Sequence, residues 1–179
     1  MPATTSSSAK RYAEAVFDIA KSQNSFDRWG QDLTAMTRVL DDPELSRLLS
    51  SPAVALTVKE AILAKALPGL STQAANLVKL LLRRGRFALA PQLDGYYRRM
   101  LNEYRGIAIA EVVSAVPLND DELESVASRL SAMTSKKVIV EPVVDPSIIG
   151  GIVARIGDQL VDASVKGRLE ALKKRLAAQ

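Results

Sequence analysis

The chain has 179 residues, 47% of them hydrophobic and 25% charged, with a formal net charge of +4 and neither Cys nor His. That length suffices for one medium domain or two small ones, each with its own modest core. The missing Cys and His exclude disulfides, Cys/His zinc sites, thiol nucleophiles and every His-based acid–base arrangement.

Aromatic residues make up only 4% while Ala and Leu are abundant, which predicts an aliphatic, largely helical core. No apolar run approaches the ~20 residues needed to cross a bilayer. The small, polar Met1–Ala9 stretch lacks the apolar centre of a secretory signal. The expectation is a soluble, intracellular protein without direct membrane insertion.

The first hundred residues carry a helical period almost throughout. Tyr12, Val16, Ile19 and Ala20 form one apolar stripe of a helix starting near Ser7 or Ser8. A second helix, with Leu33, Met36, Thr37 and Leu40, follows a break at Asn24-Ser25. Asp42-Pro43 reads as an N-cap with Pro at the first helical position, opening a short third helix. Thr57-Val58-Lys59-Glu60 reads as a capping box, so the fourth helix is expected to start there and to end before Pro68-Gly69. The fifth runs from about Ser71 to Arg84, with Leu77, Val78, Leu81 and Leu82 apolar and Gly85 as its stop. The sixth, with Leu93, Tyr96, Tyr97 and Leu101, ends at Gly106.

After Gly106 the period changes. Ile107–Val116 is rich in Ile and Val and apolar on both faces, which predicts a central strand. Pro117–Leu123 reopens a helix with full signals: Asn119 to cap, Glu122 to reach back, and Leu118 to staple onto Leu123. Lys137–Val144 reads as a second strand, with Pro142 marking an edge or a bulge. Ile148–Asp162 reads as two more strands joined by a tight Gly157-Asp158 turn. A closing helix carries Val165, Leu169, Leu172 and Leu176 on one stripe and Lys173, Lys174 and Arg175 in its last turn. The predicted architecture is an N-terminal six-helix bundle over residues 1–105. A small C-terminal α+β domain over 106–179, with a short β-sheet and two helices, follows it.

Chemistry is sparse. Gly150–Asp158 contains paired glycines but lacks the lysine of a phosphate loop and does not fit GxGxxG, so a bending strand is the better reading. Asp158, Asp162 and Ser164 lie close in sequence. Two carboxylates without a third acid make a poor metal cage, and Asp158 as a turn residue with Ser164 as a helix cap explains them. Arg83, Arg84, Arg86, Arg98, Arg99 and Arg105 form the best case for an anionic partner. Solvated helix ends or contact with an acidic protein segment fit them better than nucleic acid, since no aromatic platform accompanies them. No cofactor is expected. Tyr12, Ala13 and Val16 on the first helix, with Leu77, Val78 and Leu81 on the fifth, read either as pure core or as a groove that accepts an amphipathic partner helix.

Several of these residues carry a family resemblance that spans nearly the whole chain. Arg11-Tyr12-Ala13-Glu14-Ala15-Val16-Phe17 with Ile19-Ala20, Leu81-Leu82 followed by Arg86-Phe87 and Leu93, and above all a C-terminal block are similar to the delta subunit of bacterial and chloroplast ATP synthases. The mitochondrial counterpart of that subunit is the oligomycin-sensitivity-conferring protein. The block comprises Gly150, Gly151, Ile152, Gly157, Asp158, Asp162, Ser164, Arg168, Leu169 and Leu172. At Arg84-Gly85 the chain departs from the family, where many members carry a polar residue such as Asn.

The resemblance implies a non-catalytic stator subunit, present once per complex, on the cytoplasmic side of a bacterial inner or intracytoplasmic membrane. It implies that the helical domain takes up N-terminal helices of alpha subunits, through Tyr12, Ala13, Val16, Leu77, Val78 and Leu81, and that the second domain engages the b subunits. The C-terminal block is expected to be mainly structural. On this reading Val78→Asp weakens alpha binding and leaves the fold intact. A generic helical adaptor is the alternative, a nucleic-acid binder the next, and an enzyme the weakest.

Overall fold

A computed structural model describes residues 3–169 together with Lys173. The chain combines helices with one small four-stranded sheet, and it divides into two compact units, one ending at Leu101 and the other beginning at Asn102.

The first unit contains α1 (Ala3–Ser22), α2 (Phe26–Val39), α3 (Pro43–Ser50), α4 (Leu56–Ala66), α5 (Thr72–Arg83) and most of α6 (Ala90–Tyr104). Helix α1 starts one turn before the expected Ser7 because neither Pro nor Gly interrupts Ala3–Ala9, so the helix propagates. Asn24, in the left-handed region at φ +49°, turns the chain into α2. Asp42 caps α3 as predicted, its carboxylate accepting from the Glu44 and Leu45 N–H groups at 2.8 and 3.3 Å.

The predicted capping box at Thr57 does not form. Helix α4 begins at Leu56 after the extended Ala55, with no side-chain cap, so Thr57 is already inside the helix. Glu60 instead lies 3.9 Å from the Arg83 guanidinium of α5, a tertiary contact that a local pattern cannot anticipate. At α5 the signal was local and holds: Ser71 Oγ accepts from Ala74 N–H, and Gly85 turns out of the helix at φ +60°. Ser71 has a second task, since its hydroxyl donates to the buried Asp32 carboxylate at 2.6 Å. Arg28, one turn before Asp32 on α2, sits 3.5 Å from the same carboxylate. A 3-10 turn, Phe87–Leu89, leads into α6.

One continuous apolar cluster joins these helices. Leu33, Met36, Leu63, Leu81, Leu93 and Tyr97 are its largest fully buried side chains in this unit. Each such aliphatic side chain contributes about 1.5–3 kcal/mol by leaving water. Tyr97 also donates its hydroxyl to the Phe26 carbonyl at 2.8 Å and places its ring edge-on to Phe17, so α1, α2 and α6 meet at one residue.

The second unit holds β1 (Ile107–Ser114), α7 (Asp120–Thr134), β2 (Lys137–Val144), β3 (Ile152–Ile156) and β4 (Gln159–Asp162), with spatial strand order β2-β1-β3-β4. Strands β1 and β2 are parallel, so they need the crossover that α7 supplies. Asn119 and Glu122 form the predicted capping box, with both bonds at 2.9 Å. Pro142 lies on β2, an edge strand, where its missing N–H costs no ladder bond.

Strand β1 stops at Ser114, two residues early, because the Ser114 hydroxyl donates to the Val116 carbonyl and turns the chain. The third strand starts at Ile152 rather than Ile148. Asp145 accepts from Ser147 N–H and Pro146 opens a 3-10 turn, so 146–148 cannot extend. The Gly157-Asp158 hairpin forms as predicted, closing the pair Ile156–Gln159. Residues 165–169 are helical, whereas Leu172 and Leu176 of the predicted stripe lie outside the described residues.

Candidate partner-binding surfaces

Helices α1 and α5 run antiparallel along one side of the first unit. At one end Gln73 Nε2 donates to Gln23 Oε1 at 2.9 Å. At the other, Gly85 and Arg86 lie beside Ser7, Ser8 and Arg11.

Ala13, Val16, Leu77, Val78 and Leu81 occupy the core side of this pair, and none is more than 9% exposed. Tyr12 is half-buried against the same cluster. These five side chains are therefore screened from solvent by the chain itself. Val78 is 5% exposed, so the expectation that Val78→Asp spares the fold is corrected: it would place a carboxylate inside the core.

Among the described residues, the large apolar side chains that reach solvent on this pair are Ile19 on α1, at 39%, and Leu80 on α5, at 43%. A usable signal lay in Leu80-Leu81-Leu82. Successive helical residues are ~100° apart, so three in a row cannot all face one core.

The arginines do not gather into one patch. Arg83 pairs with Glu60, Arg98 holds both carboxylate oxygens of Asp94 at 3.0–3.1 Å, and Arg99 lies over the Tyr96 ring at 5.6 Å. With Arg105, which also has a partner, at least four of the six are thus engaged in contacts within the chain, which weakens the case for the concentrated basic stripe that nucleic acid requires.

In the second unit, α7 covers one face of the sheet. Ala108, Ala110, Val112 and Ser114 of β1 face it, and Leu118, Val126 and Leu130 pack there. Strand β1 is interior to the sheet, as predicted, but its face opposite α7 is open among the described residues. Ile109 and Ile139, register partners, are 42% and 46% exposed, and Val143 and Leu160 also reach solvent. On this face the register partners Glu111 and Glu141 lie between the Ile109–Ile139 pair and Val143, and Arg155 stands between Glu111 and Leu160, so apolar and charged side chains are interleaved.

The C-terminal block builds the junction between β3, β4 and the helical residues 165–169. Gly151 has φ +79°, and a Cβ there would stand 2.6 Å from the Ala163 carbonyl oxygen and 2.9 Å from Ser164 Cα. Gly150 accepts from Val165 N–H at 3.0 Å, and Gly157, at φ +56°, turns the hairpin with Asp158. Asp162 accepts from Ser164 N–H, and Ser164 Oγ accepts from Gly167 N–H, both at 2.9 Å. Ser164 is buried, and a side chain at Gly167 would collide with the Asp162 carboxylate at 2.5 Å. Leu169 is 56% exposed, and Leu172 lies outside the described residues. These contacts are structural, and no group of His, Cys, Asp or Glu suited to a metal ion occurs among the described residues.

Gly151→Ala is accordingly expected to lower stability by more than about 2 kcal/mol, since left-handed strain and overlap with backbone add. Urea unfolding measures this, and an unchanged midpoint and slope would contradict it.

The Asp162 turn also sets a pH dependence. The Ser164 hydroxyl first, and then its N–H, hold the Asp162 carboxyl below its ordinary value of 3.8. A carboxyl with a lowered folded-state value stabilises the fold above 3.8, and that contribution is lost as pH falls through the lower value. Thermal melts between neutral and strongly acidic pH should show Asp162→Asn losing less stability than the parent below 3.8. Parallel curves would contradict this.

Among the described residues no helix is long and apolar enough to cross a membrane. Residues 9–176 match the family described as ATP synthase delta (OSCP) subunit. The ATP synthase subunit delta of Dehalococcoides mccartyi is 37% identical over 169 residues, covering 94% of this chain and 93% of the relative. That of Nitrosomonas europaea is 36% identical, covering 92% and 93%. In fold, the chain superposes with a TM-score of 0.69 and 21% identity on a chain of the Toxoplasma gondii mitochondrial ATP synthase hexamer, covering 96% and 98%. The chain belongs to the ATP synthase delta (OSCP) subunit family, whose members are structural, non-catalytic subunits of the ATP synthase.

Proposed function

We propose that this subunit serves as the stator link between the catalytic head and the peripheral stalk, on the cytoplasmic side of a bacterial membrane. Helices α1–α6 act as one six-helix bundle, corresponding to residues 1–105, that takes up the N-terminal helix of an alpha subunit. Residues 106–179 form the domain that engages the b subunits, and the chain works as one copy per complex.

The observation that carries this reading is a pair of separate units, each with apolar side chains that reach solvent: Ile19 and Leu80 on the first, and Ile109, Ile139, Val143 and Leu160 on the second. A stator requires slow dissociation rather than chemistry. Nanomolar affinity corresponds to about −12 kcal/mol, which needs a packed helix face rather than scattered charges. Two units gripping one complex also gain from effective concentration.

In this arrangement Tyr12, Ala13, Val16, Leu77, Val78 and Leu81 support the docking face from beneath, and Ile19 and Leu80 touch the partner. Titration of the full chain with a peptide of the first twenty or so residues of the same organism's alpha subunit tests it. One-to-one binding is expected, with Ile19→Asp/Leu80→Asp weakening it at least about a hundredfold and leaving the melting temperature unchanged. Absence of binding at micromolar concentrations would return the protein to an adaptor of unknown partner.

A further inference from the structure

Beyond the apolar part of the α1–α5 face lies a notch of about 610 Å³ at its Gly85 end, lined by Ser7, Ser8, Arg11, Gly85, Arg86 and Leu89 among others. Among the described residues its charged lining is the two arginines, Arg11 on the exposed side of α1 and Arg86 in the turn that follows α5. Neither forms an ion pair among the described residues, whereas nearby Arg83 is matched to Glu60. Two unmatched guanidinium groups beside two serines form a receptor suited to carboxylate geometry.

We infer that this notch receives an acidic side chain of the amphipathic helix docked along α1 and α5, and so sets the direction in which that helix lies. The inference rests on the head-binding reading above.

The argument for this occupant is continuity and charge. Arg11, Ala15 and Ile19 follow one another at i, i+4 and i+8, so they line one strip of α1. Along α5, which runs the opposite way, the order is reversed, with Leu80 preceding Arg86 of the following turn, so the apolar halves lie together and the basic halves do too. From Ile19 to Arg11 the strip is about 12 Å long, at ~1.5 Å per helical residue. A ligand that fits both halves is an apolar helical stripe with a carboxylate roughly two turns, or about eight residues, from the side chain covering Ile19. A helix laid the other way would set its carboxylate on Ile19 and its apolar stripe on two guanidinium groups. The first 105 residues, with fifteen Lys and Arg against ten Asp and Glu, add a field that favours an acidic partner.

A double-mutant cycle tests this, using the full chain, the Arg11→Gln/Arg86→Gln variant, the alpha-subunit peptide and the same peptide with its Asp and Glu replaced by amides. Both arginines are exposed, so the variant should fold normally, and its far-UV spectrum and melt verify that. Each change alone is expected to weaken binding about tenfold and to flatten its salt dependence, with little further loss when they are combined. Additive losses, or unchanged affinity and salt dependence in the variant, would overturn the receptor while leaving the docking face in place. Failure of the parent chain to bind the parent peptide would overturn both readings.

Discussion

Val78→Asp is expected to destabilise the first unit by about 3–5 kcal/mol at neutral pH. Val78 is 5% exposed and packs in the same cluster as Leu77, Leu81 and Leu63. The side chains clustered with it are apolar. Leaving a buried charge uncompensated costs about 3–5 kcal/mol, a large part of the roughly 5–15 kcal/mol that holds a small domain together. Burial raises the pKa of such a carboxyl, so the variant should regain stability as the pH falls and the group takes up a proton. Two positions along the same helix, Leu80→Asp puts an equal charge at a site 43% open to water and should leave the melt unchanged. Chemical denaturation of the two variants side by side separates core from docking face. Equal stabilities would show that Val78 is not interior in solution.

Tyr97→Ala should destabilise the first unit by about 3–5 kcal/mol, the range for deleting a large buried aromatic side chain. Tyr97 is 0% exposed, its ring stands 6.1 Å from that of Phe17, and its hydroxyl donates to the Phe26 carbonyl. Removing it opens a cavity where α1, α2 and α6 converge, and few of the surrounding side chains can move in to fill it. Tyr97→Phe keeps the packing and forfeits the hydrogen bond, so it should cost only about 1 kcal/mol. Urea midpoints for the two variants measure the split. A Tyr97→Ala loss no larger than that of Tyr97→Phe would contradict this account of the core.

Elements whose ends are fixed by short-range hydrogen bonds were legible in the sequence. Asp42-Pro43, Ser71, the Asn119–Glu122 box and the Gly157-Asp158 turn each carry their own donors and acceptors within a few residues. Thr57–Glu60 has the same letters as a capping box, yet Glu60 lies beside Arg83, and no local pattern reveals a partner twenty-three residues away. Likewise, Ile148 and Ile149 read as strand until Asp145 and Pro146 impose a turn.

The proposed docking face was harder to read for a different reason. An apolar stripe shows that residues leave water, and does not show whether they do so in folding or in assembly. Ala13, Val16, Leu77, Val78 and Leu81 meet the first condition within the chain itself, which leaves Ile19 and Leu80 for the second. On the sheet, the periodicity of β1 concealed the distinction fully. Ile109 and Glu111 on the open face alternate with Ala110 and Val112 on the closed one, and both faces are mostly apolar.

On the reading proposed above, this chain couples head to stalk. Membranes of the same organism, depleted of this subunit and then supplied with purified head and with or without the chain, test it through ATP-driven proton pumping. The chain is expected to restore pumping, and Ile19→Asp/Leu80→Asp to fail despite a normal fold. Full pumping by head and membranes without the chain would contradict the account.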